Sequence, residues 1–128
     1  MIVDTSALVA IVLNEPEAAA FDERIRLAPS RKISTATCVE LMIVLTAKLG
    51  IDARPVVIHV IDEYELERIA VDEDQMTIAF DGVARFGKGR HPARLNLGDC
   101  FAYALAKTSG EPLLFKGNDF SRTDVAVA

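Results

Sequence analysis

The chain has no tryptophan, two cysteines and two histidines among its 128 residues. Cys38 and Cys100 lie far apart and form no CxxC pair. A disulfide framework and a zinc knuckle are therefore both excluded, and two reduced thiols are expected. His59 and His91 have no His or Cys partner at ligand spacing, so an imidazole metal site has no basis. No apolar run approaches the roughly 20 residues that a bilayer span needs. The opening Met-Ile-Val-Asp has no basic region before its apolar residues, so no secretory signal is expected and the reading is cytoplasmic, with no membrane contact. Positive charge is short as well, 14 Lys and Arg against 19 Asp and Glu, for a net charge of −5. A chain of that sign does not coat phosphate backbones by general attraction. It is still able to act on one if individual charges are well placed.

Hydrophobic residues make up 51%, ample for a core, and the length predicts one domain over residues 1–128. The charges are uneven. Asp62 to Asp81 holds eight acids and one base, which reads as a solvated face. The stretch from Gly82 to Gly98 has four bases, Arg85, Lys88, Arg90 and Arg94, and no acid. Its glycines and proline predict an exposed loop, either solubilising or in contact with phosphate.

Three carboxylates show the opposite pattern. Asp4 is the only charge in the first fourteen residues, Glu40 the only one between Lys32 and Lys48, and Asp99 the only one between Arg94 and Lys107. A lone carboxylate among apolar neighbours costs several kcal/mol unless something compensates it. No base nearby in sequence does so.

The apolar Met1–Val3 predicts a first strand, and Thr5 or Ser6 is placed to cap a helix to Leu13. Helices are expected from Pro16 to Leu27, Thr37 to Leu49, Pro55 to Tyr64, Asp72 to Phe86, and Asn96 or Gly98 to Ser109. Strands are expected at Lys32–Thr35, Glu67–Val71 and Pro112–Phe115, with Asp124–Val127 as a short edge strand. Strands alternating with helices predict a three-layer α/β/α sandwich around a central, mainly parallel sheet of four to five strands. In such sheets the working site lies beyond the carboxyl ends of the strands. Asp4 ends the first strand, Asp119 follows the fourth by a short turn, and Glu40 and Asp99 fall in first turns of helices.

Each acid also has a plain structural reading. Asp4 suits a helix cap, Thr37 and Glu40 form a capping box, Asp99 suits a helix dipole, and Asp119 and Asp124 suit turns. The convergence of four at one rim points elsewhere. Oxygen-rich clusters suit Mg²⁺ or Mn²⁺, and such ions lower the pKa of an attacking water in phosphodiester hydrolysis.

Four blocks carry a resemblance: Ile-Val-Asp-Thr-Ser-Ala, Ala-Thr-Cys-Val-Glu, Leu-Asn-Leu-Gly-Asp-Cys-Phe-Ala-Tyr-Ala-Leu-Ala and Pro-Leu-Leu-Phe-Lys-Gly-Asn-Asp-Phe-Ser-Arg-Thr-Asp. In this order, and over essentially the whole chain, they resemble the PIN-domain ribonucleases, and more narrowly the VapC-type toxins of type II toxin–antitoxin pairs. The resemblance implies a metal-dependent endoribonuclease that cleaves RNA and is neutralised by a cognate VapB-type antitoxin. It maps the family's acidic quartet onto Asp4, Glu40, Asp99 and Asp119. Asp4, Asp99 and Glu40 would hold one Mg²⁺ or Mn²⁺, directly or through water, and Asp119 would position the nucleophilic water. Thr5 or Ser6 would orient a metal water, and Asn96 would fix the site or contact phosphate. Asn118 stands where the family often has a second acid, which leaves a second ion open. The apolar helix Cys38–Leu49 and the Ala-rich first helix exceed what one small core needs, which fits a homodimer and a toxin–antitoxin hetero-oligomer.

Two other readings compete. A receiver-type signalling domain needs adjacent acids after the first strand, and Asp4 has no acidic neighbour, although Lys116 fits. A catalytically silent PIN-like binding module is the other, and the intact quartet argues against it.

Overall fold

The computed structural model describes residues 1–128. Its elements run β1 (Ile2–Val3), α1 (Thr5–Val12), α2 (Ala18–Leu27), β2 (Lys32–Ser34), α3 (Thr35–Leu49), α4 (Arg54–Glu63), β3 (Glu67–Ile69), α5 (Glu73–Phe86), α6 (Leu97–Ser109) and β4 (Leu113–Leu114), then a short 3₁₀ turn at Phe120–Arg122. The strands pair in the order β3-β2-β1-β4, all parallel. The expected edge strand near the end reduces to one parallel bridge, Leu113 to Val127.

Successive strand residues face opposite sides of a sheet, and here they divide the core in two. Val3, Ile33 and Leu114 pack with Leu8, Phe21, Ile25, Leu41, Leu45 and Ile61, residues of α1 to α4. Ile2 and Leu113 pack on the other face with Phe86, Tyr103 and Leu105 from α5 and α6. The three-layer α/β/α arrangement follows. Helices α5 and α6 approach closely because residue 82 is glycine; a Cβ there would lie 2.7 Å from the Tyr103 ring. Tyr103 donates to Asp124 (2.8 Å), which also pairs with Arg85 and Lys107, each at 3.1 Å. Asp124, expected as a turn residue, is thus a clamp for the last segment.

The junctions are tighter than the sequence suggests. Asp4, not Thr5 or Ser6, caps α1: its backbone is extended, and its side chain accepts from the Ser6 N–H. Helix α3 begins at Thr35 under a Ser34 cap, so the expected Thr37–Glu40 capping box does not form and Glu40 falls in the second turn. Both strands run directly into their helices. Gly50 ends α3 in the left-handed conformation, as expected. Arg85 lies in the last turn of α5 rather than in the loop. No helix is long and apolar enough to cross a membrane.

Candidate active site

A cavity of about 410 Å³ opens at the carboxyl end of the sheet and is lined by Asp4, Thr5, Ser6, Glu40, Asn96 and Asp99. Three of the four predicted acids and all three predicted supporting residues therefore meet there. A larger cavity, about 580 Å³, lies beside Gln75 and Thr108 and contains none of these acids.

Asp4 arrives at the rim because β1 ends there; its N–H still bonds to the Leu114 carbonyl (3.0 Å) before the chain turns into α1. Oδ2 accepts from the Ser6 N–H (2.9 Å) and from Ser6 Oγ (2.6 Å). Oδ1 is buried and has no hydrogen-bond partner. Burial pushes the Asp4 carboxyl up from 3.8 to about 6, against the Ser6 hydrogen bonds and with a contribution from Glu40.

Asp99 forms a full capping box with Asn96. The Asn96 side chain accepts from the Asp99 N–H, and Asp99 Oδ2 accepts from the Asn96 N–H, both at 3.0 Å. The structural reading of Asp99 is satisfied through Oδ2, and its carboxylate also lines the cavity. Burial raises its pKa from 3.8 to about 7, opposed by the Asn96 N–H and assisted by repulsion from Asp4, Asp119 and Glu40. Buried Asp4 and half-buried Asp99, both with carboxyls pushed well above the usual range in one cleft, make it a candidate site for a cation or a proton.

Glu40 reaches the cavity from α3 by lying across the first turn of α6. A Cβ at residue 98 would sit 1.2 Å from Glu40 Oε2, so only glycine leaves room for the carboxylate. Thr5 Oγ1 is buried without a partner, whereas Ser6 Oγ accepts from the Lys116 N–H (2.9 Å).

Asp119 is exposed in the turn after β4 and does not line the cavity, although its charge bears on Asp99. Lys88, Arg90 and Arg94 belong to the loop before α6 and stand outside the cavity, and Arg85 is committed to Asp124. The cations that do line it are Lys48 and Lys116, together with an extra acid, Glu15. From the sequence, Glu15 and Lys48 have no assigned role, and Lys116 fits only the receiver-type reading. One signal was available: Glu40, Val44 and Lys48 recur every fourth residue, the spacing of one helix face. A receiver-type domain also needs a phosphoacceptor Asp ending the middle strand; Asp72 instead caps α5 through the Gln75 N–H (2.8 Å) and lies away from the acid cavity, which removes that arrangement.

No group of three His, Cys, Asp or Glu side chains stands close enough together to hold a metal ion. The donors nonetheless fit a hard divalent ion: all are oxygens, and both Asp4 Oδ1 and Thr5 Oγ1 are buried without partners. Cys38 and Cys100 are unpaired, and the Cys100 Sγ donates to the Asn96 carbonyl (2.9 Å).

The fold has the form of a PIN domain, and the model of that domain family matches residues 1–126. Ribonuclease VapC of Mycolicibacterium smegmatis is 46% identical over 126 residues, covering 98% of each chain. Ribonuclease VapC42 of Mycobacterium tuberculosis is 43% identical over 129 residues, covering 100% of this chain and 98% of the relative. The crystal structure of Mycobacterium tuberculosis VapC20, a sarcin-ricin loop cleaving toxin, aligns with a TM-score of 0.79 at 16% identity over 99% of this chain and 97% of that one. A toxin-antitoxin complex from Klebsiella pneumoniae aligns at 0.71 and 18% identity, over 99% and 95%. The chain belongs to the PIN-domain family and, within it, to the VapC ribonucleases.

Proposed function

We propose that the chain is the toxin of a type II toxin–antitoxin pair, an endoribonuclease that depends on Mg²⁺ or Mn²⁺. The observation that carries the reading is the convergence of Asp4, Glu40 and Asp99 on one cavity in which Asp4 Oδ1 and Thr5 Oγ1 lack partners. Asp4 and Asp99 would hold one ion directly and Glu40 directly or through water, with Thr5 beside them and Asn96 fixing Asp99 by its capping box. A bound ion would neutralise the carboxylates and lower the pKa of the attacking water. Asp119, exposed in the turn after β4, would orient that water and would add a ligand if a second ion binds. Ser6 holds the Asp4 carboxylate in position. Lys88, Arg90 and Arg94 would meet phosphates further along the RNA.

The toxin–antitoxin complexes among the structural relatives support a VapB-type antitoxin as partner. Val39, Ile43 and Leu97 are exposed and line one apolar groove with Phe101, which supports a homodimer within a larger toxin–antitoxin assembly. With RNA and an antitoxin as its partners, the chain would act in the cytoplasm. The test is cleavage of RNA by the purified chain with Mg²⁺ or Mn²⁺, with and without EDTA, beside Asp99→Asn. Cleavage that needs both the metal and Asp99 supports the reading; its absence with metal present supports a silent binding module.

A further inference from the structure

The acid cavity has its own cations, and the basic loop supplies neither. Lys116 reaches it from the turn after β4 and Lys48 from the last turn of α3. The strands that lead to them, β4 and β2, lie on either side of β1, whose end carries Asp4. Eight residues separate Glu40 from Lys48, which places Lys48 about 12 Å further along the same helix.

The two lysines are held differently. The Lys116 ammonium pairs with Glu15 and, at 3.0 Å, with Glu17, both from the turn joining α1 to α2. Its backbone N–H donates to Ser6 Oγ, and that hydroxyl donates to Asp4 Oδ2, so Lys116 is in fixed register with the acid centre. Lys48 is exposed and takes part in none of the ion pairs. An acid-lined cleft repels a phosphodiester strand, and a strand lying across it needs cations at its edges. Lys116, Glu15 and Glu17 are about one-third exposed. Pairs exposed to that degree are weakly held, so a phosphate oxygen can replace the glutamates around Lys116.

We propose that Lys48 and Lys116 are the phosphate contacts that seat the RNA strand across the acid centre, Lys48 standing free and Lys116 held in reserve by Glu15 and Glu17. The proposal rests on the chain being an RNA-cleaving enzyme with its acids at this rim. Binding of a short fluorescein-labelled single-stranded RNA is measured by anisotropy over a salt series, in an Asp99→Asn background that leaves the probe intact. Lys48→Met and Lys116→Met each make the plot of log affinity against log salt shallower by about 0.7, and near 50 mM salt they weaken binding roughly fivefold to tenfold. Lys116→Arg retains the slope. Glu15→Gln releases Lys116 and tightens binding, the opposite sign to Lys116→Met. An anchoring role for Lys116 would instead lower thermal stability in both Lys116→Met and Glu15→Gln and leave the slope unchanged, and that result overturns its assignment. An unchanged slope in Lys48→Met overturns that of Lys48. Cleavage by the chain with Asp99 intact is measured alongside. Cleavage with unchanged slopes overturns this proposal alone, whereas no cleavage with metal present overturns the functional reading beneath it.

Discussion

Asp4→Asn should make the metal-free protein more stable at neutral pH while abolishing its activity. Asp4 is 3% exposed, and burial raises its pKa from 3.8 to about 6. A carboxyl whose pKa is higher in the folded state binds protons more tightly there, so ionisation works against folding. Below the unfolded value both states are protonated and the penalty is absent. It grows as pH rises from 3.8 and is complete above about 6, where a shift of roughly two units corresponds to about 3 kcal/mol. Asparagine keeps an oxygen for the Ser6 N–H, so the cap of α1 survives. Urea unfolding in EDTA should therefore show Asp4→Asn more stable than the parent by about 2–3 kcal/mol near pH 7.5, with the difference shrinking towards zero near pH 4. Adding Mg²⁺ should raise the stability of the parent and leave the variant unmoved. If Asp4→Asn is destabilised equally at both pH values, the buried charge is not the cost inferred here and the reasoning fails.

Gly98→Ala tests how Glu40 is seated. The new methyl group occupies the Glu40 carboxylate position, so that side chain must swing away; cleavage should fall about 100-fold by displacement alone. Alanine favours the helix, so the melting temperature should hold or rise; a variant that cleaves normally would show that Glu40 need not lie there. Gly82→Ala, far from the acids, pushes α5 off the Tyr103 ring and should cost about 1–3 kcal/mol in chemical denaturation. Its residual folded fraction should keep normal specific activity.

Much of this architecture was legible because its signals are local. The Ile2–Val3 pair, the Leu113–Leu114 pair and the caps at Gly50, Asp72 and Asn96 declare themselves within a few residues. Asp4, Glu40 and Asp99 stood out because each lacked a neighbouring charge, and long-range folding then brought them together. The start of α3 misled for a related reason. Thr37 with Glu40 has the spacing of a capping box, but Ser34 ends β2 and caps the helix itself, leaving Thr37 Oγ1 buried without a partner. Arg85 was grouped with the loop by charge, although the helix runs through Phe86 and its partner, Asp124, lies 39 residues away. A separation of 101 residues hid the pairing of Lys116 with Glu15, and Glu17 lies nearly as far away in sequence. Local pattern finds the acids and the caps; pairing between distant residues requires the fold.

The proposed activity requires a divalent ion at the oxygen-lined cavity of Asp4, Glu40 and Asp99. Cleavage of a single-stranded RNA by the purified chain, followed with Mg²⁺, with Mn²⁺ and with EDTA, beside Asp4→Asn and Asp99→Asn, measures that claim directly. The expected result is cleavage with either ion, none in EDTA, and a loss of about 100-fold or more in each folded variant. Cleavage that survives EDTA, or that proceeds at the parent rate in Asp99→Asn, would contradict it.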